Sequence, residues 1–312
     1  MKFIAELCQN HNGDFGIVKE MVYAAHDAGA DYVKLQTIFA DMLTFRERFE
    51  IGSVVGENKE SIKRPYKLEY DRLKALELSY AQQAEFVTLC ISIGIKPLTT
   101  VFNRLSVPDI HKIGFNSVKV ASYDCGSVRL LEDLRNSFDE IFVSTGASYD
   151  EEIAAAAKAL EGMVFSFLHC VTIYPTPLKD FNLARMKYLR QFTPTVGWSD
   201  HSLVSRDGLK GTMAAIYFGA DIIERHVTIL ESDQTKDGPV SIFPKQIEEL
   251  KYFASLESPD QSKYLEEIFP NYQSTIGHFD RQLTSVELAN RDYYRGRFAN
   301  FSSVDDVFYN WE

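Results

Sequence analysis

Short apolar runs rich in Val, Ile and Phe alternate with longer stretches of helical period, from the first residues to about residue 230. The pattern predicts strands at FIAEL (3–7), YVKLQT (32–37), KPLTTV (96–101), SVKVAS (117–122), EIFVST (140–145), FSFLHC (165–170), PTVGWS (194–199) and DIIERHV (221–227). Helices are predicted between them, in segments such as GIVKEMVYAAHDAGA, SYAQQAEFVTLCISIG, SYDEEIAAAAKALEG and SLVSRDGLKGTMAAIYFGA. Several of these close on the Gly expected after a helix C-terminus. Ser148, followed three residues later by Glu151, supplies a capping signal for the third. Eight strands buried on both faces, each followed by a helix, specify an α/β fold of the (β/α)8 TIM-barrel type. An open doubly wound sheet fits less well, because no Gly-x-Gly-x-x-Gly follows the first strand.

Two segments break the repeat. Residues 38–79, a long loop after the second strand rich in charge and Tyr, far exceed an ordinary βα connection and suggest a lid or interface element over the barrel mouth. Residues 257–312 form a polar, aromatic extension too short for a second domain with a good core. The expected organisation is a catalytic barrel over 1–256 and an extension over 257–312 that packs on the barrel or on a partner subunit.

Composition supports this frame. A chain of 312 residues, 45% hydrophobic and 13% aromatic, can bury the core of one large barrel. Its longest apolar runs, such as MAAIYFGADII, stop far short of a membrane span, and MKFIAELCQNHNG lacks a signal-peptide pattern, so a cytosolic (cytoplasmic) protein with no membrane partner is expected. A net charge of -11 argues against nucleic acid as a partner. Cys8, Cys90, Cys125 and Cys170 lie far apart with no C-x-x-C pair, and read as reduced, buried thiols rather than a disulfide frame or zinc site.

In such a barrel the working site lies at the C-terminal ends of the strands. Those ends offer Glu6 with Gln9, Asn10 and His11; Lys34 and Gln36; Thr99 and Thr100; Lys119, Ser122 and Asp124; Ser144 and Thr145; His169, Thr172 and Tyr174; Ser199, Asp200 and His201; Arg225 and His226. A Lys inside a buried strand is costly unless its ammonium meets an anion. Lys34 and Lys119, on different strands, therefore point to a bound anion, with Thr100, Ser122, Ser144 and Ser199 as short hydroxyl donors suited to phosphate or carboxylate oxygens. His201, in VGWSDHS, and His226, in IIERHVT, end neighbouring strands and can converge on one divalent ion, Mn2+, Co2+, Fe2+ or Zn2+, acting as a Lewis acid on a carbonyl. His11 and His169 are weaker candidates. Glu6 can act as acid or base, ligate the metal, or pair with Lys34. Asp237, in TKDGPVSI, is either a hydroxyl acceptor for a polyol or part of a turn.

AELCQNHNGD, AGADYVKLQT, TTVFN, KVASYDCGSVRLL, VSTGAS, LHCVTIYPTP, VGWSDHS, GADIIERHVT and KDGPVSI, in this order, resemble the sialic acid synthase (N-acetylneuraminate synthase) family, over residues 1 to about 245. That family condenses phosphoenolpyruvate with an amino sugar aldehyde, such as an N-acetylmannosamine-like aldose, to give nonulosonic acids. The resemblance implies that Lys34, Thr100, Lys119, Ser122, Ser144 and Ser199 bind phosphoenolpyruvate, that His201 and His226 hold Mn2+, and that Glu6 is the catalytic carboxylate. It also implies that Gln36, Tyr174 and Asp237 contact the sugar, and that the protein is a homodimer. The chain departs from the family at Asp124, where Glu is usual, and at Thr172, where Asn or Ser is usual; both positions lie near the substrates. The typical member also carries an antifreeze-like C-terminal domain whose Arg, from the partner subunit, grips the sugar's N-acetyl group, and 257–312 does not supply such a domain. NRDYYRGRFA, with Arg291, Arg295 and Arg297, resembles the linker before it. Two other readings stand beside this one: a related phosphoenolpyruvate condensation or metal-dependent aldolase with another acceptor, and a non-catalytic sugar-binding barrel.

Overall fold

Side chains alternate across a strand, so a closed parallel barrel needs apolar residues at every second position on its outer face and a filled interior on the other. The computed structural model, which describes residues 1–55, 58–302 and 306–312 and, at 54–60, no side chains, meets that requirement. Eight parallel strands close on themselves: β1 (Lys2–Glu6), β2 (Tyr32–Thr37), β3 (Lys96–Val101), β4 (Ser117–Val120), β5 (Glu140–Ser144), β6 (Val164–His169), β7 (Val196–Asp200) and β8 (Ile222–His226). Closure is the β8–β1 pairing, from Lys2 opposite Ile222 to Glu6 opposite His226. The (β/α)8 expectation holds, with strand ends moved by one or two residues.

Ile4, Tyr32, Leu98, Phe142, Leu168 and Ile222 fill the lower interior, all fully buried. Tyr32 and Phe142 meet edge to face at 5.3 Å between ring centres. Two residues further along five of these six strands the same inward face turns polar: Glu6, Lys34, Thr100, Ser144 and Glu224 follow Ile4, Tyr32, Leu98, Phe142 and Ile222. The barrel thus has a dry floor and a charged upper half. The outward positions, among them Phe3, Val33, Val118, Ile141, Phe167 and Ile223, pack under the helices in the main core.

The helices are α1 (Phe15–Asp27), α2 (Tyr80–Ile93), α3 (Val107–Lys112), α4 (Val128–Arg135), α5 (Asp150–Ala159), α6 (Arg185–Leu189), α7 (Lys210–Tyr217) and α8 (Pro244–Ser255). Asp14 caps α1, and Ser79 with Gln82 forms a capping box on α2, which ends on Gly94 in the left-handed region. Two expectations are corrected. The cap of α5 is Tyr149, whose backbone N–H donates to Glu152, while Ser148 donates to the Ser122 carbonyl instead. The segment after β7 is not one helix: a short turn of helix, Val204–Asp207, stops at Gly208, whose φ of 56° no helix accommodates, and α7 starts afresh.

The long segment after β2 contains a hairpin (Ser53–Val55 with Asn58–Ser61) and a helix, Tyr66–Leu76. The C-terminal extension adds helices Ser258–Ile268 and Ser285–Tyr294 and a short strand pair, Asn300–Phe301 with Val307–Phe308. The two segments dock on each other. Leu43 bridges Phe298, and Ile38, Ala40, Leu43, Leu73 and Phe298 share a small core. Residues 56–57 of the long segment and 303–305 of the extension lie outside the described residues. No helix among the described residues is long and apolar enough to cross a membrane.

Candidate active site

The polar upper half of the barrel is built from paired charges. Lys119 donates to Glu224 Oε1 at 3.2 Å and stands 3.1 Å from its Oε2, and Ser199 donates to Glu224 Oε1 at 2.9 Å. Lys34 pairs with Glu6 and donates to Thr100 Oγ1 at 2.8 Å; Glu6 also accepts from the Cys8 N–H at 2.6 Å. All of these groups are buried. Burial pushes the Glu224 carboxyl up, but Lys119, Lys34 and Ser199 together hold it well below its ordinary value. It is a buried carboxylate paired with Lys119, with the Lys34 amine, which burial lowers to about 7, close enough to act on it.

Ser122 stands where three loops meet. Its hydroxyl accepts from the Gly146 N–H at 3.2 Å and lies 3.0 Å from Cys170 Sγ. Gly146 has to be glycine there, because a Cβ would come within 2.6 Å of Cys170 Sγ and 2.7 Å of Thr172 Cγ2. Ser144 is buried at the end of β5 on the inward face, and Gln36, half-buried, stands opposite Thr100 in the register. Asp124 is turned to the extension: it accepts from Ser127 at 2.9 Å and from Asn310 at 3.1 Å. The Thr172 carbonyl accepts from Asn290 at 2.8 Å, and its buried hydroxyl has no hydrogen-bond partner among the described residues.

His201 and His226 sit side by side, ring centres 5.0 Å apart and nearly perpendicular. Tyr174 covers His201, its hydroxyl 3.3 Å from Nε2. Burial holds the His226 imidazole down to about 4, and burial with the neighbouring His226 holds His201 well below its ordinary value. Both rings are therefore neutral at pH 7 and offer lone pairs. Each has a buried Nδ1 with no hydrogen-bond partner among the described residues. Among the described residues, ligand atoms of Cys8, His226 and Asp237 all lie within 4.8 Å of one another, a group to which His201 does not belong.

Not every polar residue at the strand ends faces this mouth. Asp200 and Arg225 point outward and pair at 2.7 Å, fully buried, with Ser202 and Thr212 completing the network. Thr99 also faces out, 2.9 Å from Thr37. His169 is structural, its Nε2 2.8 Å from the Phe181 carbonyl and its ring against Trp198. His11 Nδ1 accepts from the Gly13 N–H. Two residues of the mouth escaped the sequence reading, Glu224 and Cys8. The period of two through Ile222, Glu224 and His226 is the signal that points to the first.

Comparison with known proteins agrees with the geometry. The NeuB family matches residues 21–255. The N,N'-diacetyllegionaminic acid synthase of Legionella pneumophila is 31% identical over 300 residues, covering 94% of this chain and 78% of that protein. The N-acetylneuraminate-9-phosphate synthase of Mus musculus is 26% identical, over 79% of this chain and 67% of its own. Among solved structures, the sialic acid synthetase of Leptospira borgpetersenii, crystallised with citrate, superposes with a TM-score of 0.68 at 26% identity, covering 93% of this chain and 90% of that one. With a match across most of its length and a relative 31% identical along nearly all of it, the chain belongs to the NeuB family.

Proposed function

We propose that the protein condenses phosphoenolpyruvate with the open-chain aldehyde of an amino sugar, releasing phosphate and a 3-deoxy-2-keto sugar acid of the sialic acid type. The observation that carries this reading is the meeting of Lys34, Lys119, His201 and His226, from four strands, in one buried polar mouth. The unpartnered, neutral imidazoles suit a divalent metal ion such as Mn2+, held by His201 and His226. Bound there, the ion would supply Lewis-acid polarisation of the acceptor's carbonyl.

The protein's own groups have the remaining work. Lys34, Lys119, Thr100, Ser122, Ser144 and Ser199 orient phosphoenolpyruvate so that C3 meets the aldehyde carbon. Lys34 and Lys119 are already matched by Glu6 and Glu224, so they act as aimed donors more than as excess charge. The new bond forms from C3 to the aldehyde carbon and leaves an oxocarbenium at C2. Water adds to C2, Glu6 takes up a proton, and the C–O bond to phosphate breaks as the ketone forms. Gln36 and Tyr174 flank the acceptor.

A second reading concerns the acceptor alone. Arg72, which donates to Gln9 at 2.6 Å, shares Glu69 with Arg297 at the rim, and Lys236 is close enough to both for burial and their charges to lower it to about 8. Three cations on one carboxylate favour an anionic, phosphorylated aldose.

The test is to incubate the protein with Mn2+, phosphoenolpyruvate and a panel of hexosamines, their 6-phosphates and simple aldoses, and to weigh the products. Phosphate release that needs metal, phosphoenolpyruvate and an aldose together is expected. Release unchanged after metal is stripped and both histidines are replaced would overturn the reading.

A further inference from the structure

Arginines gather at one place on a chain whose net charge is -11. Where the segment ahead of the hairpin, helix Ser285–Tyr294 and residues 309–311 meet, they line a cavity of 440 Å3. That volume falls within the range of about 300–1,000 Å3 that small-molecule sites occupy. Among the described residues, the lining carries four guanidinium groups, from Arg46, Arg48, Arg291 and Arg295, against the single carboxylate of Asp292. None of the residues assigned above to phosphoenolpyruvate or to the metal belongs to it.

Pairing cancels only half of this charge. Arg291 and Arg295 share one oxygen of Glu152, Oε1, and Arg48 pairs with Asp292. Arg46 meets no carboxylate among the described residues: it donates to the carbonyls of Asp292, Tyr293 and Arg295, at the helix C-terminus, where a cation is favoured. Arg48 and Arg295 each commit one N–H to an acid and keep the rest of the guanidinium fork for a ligand, the geometry that suits phosphate oxygens. The other wall is aromatic. Tyr309 and Trp311 stack in parallel, ring centres 4.6 Å apart and 4° from coplanar, and Tyr149 stands exposed beside Arg291. A flat aromatic wall next to guanidinium forks is the chemistry that holds a nucleotide, base on the rings and phosphate on the arginines. Free phosphate or an acidic sugar would leave the stacked rings unused.

We infer that this cavity binds a nucleotide as an effector, with Arg48 and Arg295 on its phosphate and the Tyr309–Trp311 wall against its base. Coupling to the mouth runs through Arg291. Its guanidinium donates to the Ala147 carbonyl at 2.6 Å, and Ala147 lies in the left-handed region with φ of 50°, uncommon for a residue with a side chain. The adjoining Gly146 N–H donates to Ser122. A phosphate in the cavity competes for Arg291, and so loosens the turn that places Ser122. The effector role rests on the condensation proposed above; the binding site does not.

Intrinsic fluorescence reads the site, because the chain has two tryptophans and the other, Trp198, is fully buried against His169 and Phe181. AMP, CMP, GMP and UMP are titrated into the full-length protein without metal, phosphoenolpyruvate or sugar, with calorimetry in parallel. At least one should bind saturably, more weakly as salt is added, with a fluorescence change that is lost in Trp311→Phe. Arg295→Gln, and Arg48→Gln at an exposed side chain that folding does not require, should each weaken binding roughly tenfold, the worth of one charge-assisted hydrogen bond. The matching nucleoside, ribose 5-phosphate and inorganic phosphate should each bind roughly tenfold more weakly than the nucleotide, or worse. No saturable binding of any of the four, equal affinity for inorganic phosphate, a fluorescence change that survives Trp311→Phe, or indifference to both arginine replacements would overturn the site. Bound nucleotide should also raise KM for phosphoenolpyruvate in the parent and not in Arg48→Gln. An unmoved KM in an active protein that still binds would overturn the effector role alone, and binding by a protein that condenses nothing would keep the site and remove the proposed reaction.

Discussion

Glu224 and Lys119 face each other across the barrel interior at 3.1 Å, both nearly inaccessible to water, and Ser199 is bound to the same carboxylate. Removing one partner of a buried ion pair leaves the other uncompensated and costs about 3–5 kcal/mol. Glu224→Ala should lower the unfolding free energy by about that amount in urea titration. Glu224→Gln, which keeps hydrogen-bonding partners for Lys119 and Ser199, should cost less and raise KM for phosphoenolpyruvate through misaimed donors. An alanine variant as stable as the parent would show that Lys119 does not depend on this carboxylate.

Asp200 and Arg225 make a second buried pair, on the far side of the strands from the mouth. Burial pushes the Asp200 carboxyl up, but Arg225, Thr212 and Ser202 together hold it below its ordinary value. Asp200→Leu and Arg225→Leu should each cost about 3–5 kcal/mol, and the double replacement should cost clearly less than their sum. Strict additivity in that cycle would mean the two charges do not interact.

These two pairs also mark what could be read from the sequence. Eight strands, their order and the polarity of their C-terminal ends followed from apolar runs and helical period. So did the approach of His201 to His226, since consecutive strands neighbour each other in a closed barrel. What misled was adjacency: Arg225 and His226, or Asp200 and His201, cannot both face the mouth, because the pleat sends neighbours to opposite sides. Glu224 sits two positions before His226 and shares its face for the same reason. Cys8 was hidden more deeply, because its position depends on a left-handed turn that only the folded loop imposes. The docking of the long segment on the extension, through Leu43 and Phe298, has no local sequence signal at all.

Gly146 shapes the loop that meets Ser122. A methyl group there would meet Cys170 Sγ at 2.6 Å, Thr172 Cγ2 at 2.7 Å and Ser122 Oγ at 3.0 Å, all in packed surroundings. Gly146→Ala should destabilise the protein by about 1–3 kcal/mol, as overpacking does. It should also push Ser122 away from its bond to the Gly146 N–H and raise KM for phosphoenolpyruvate more than it lowers kcat. Unaltered KM with full stability would place the loop elsewhere.

Glu69 binds the long segment to the extension, and it should make their docking sensitive to acid. It accepts from Arg72 at 2.9 and 3.0 Å and from Arg297. Burial pushes its carboxyl up, but the Arg72 hydrogen bonds and the Arg297, Arg72 and Lys236 charges outweigh that and hold it at about 2, against 4.5 unperturbed. A folded-state value below the unfolded one means that the pair's stabilisation is complete above about pH 4.5 and is lost as the pH falls through about 2. Glu69→Gln lacks this titration. The stability difference between the parent protein and Glu69→Gln should therefore be constant at neutral pH and shrink progressively from about pH 4.5 toward 2, while other carboxylates titrate alike in both. Unfolding measured over a pH series on the two proteins reads this difference directly. A gap that stays level through that range would mean that Glu69 is not held by the two arginines in solution, and that the docking rests on the other contacts between the two segments, such as Arg46 with the Tyr293 carbonyl and Leu43 with Phe298.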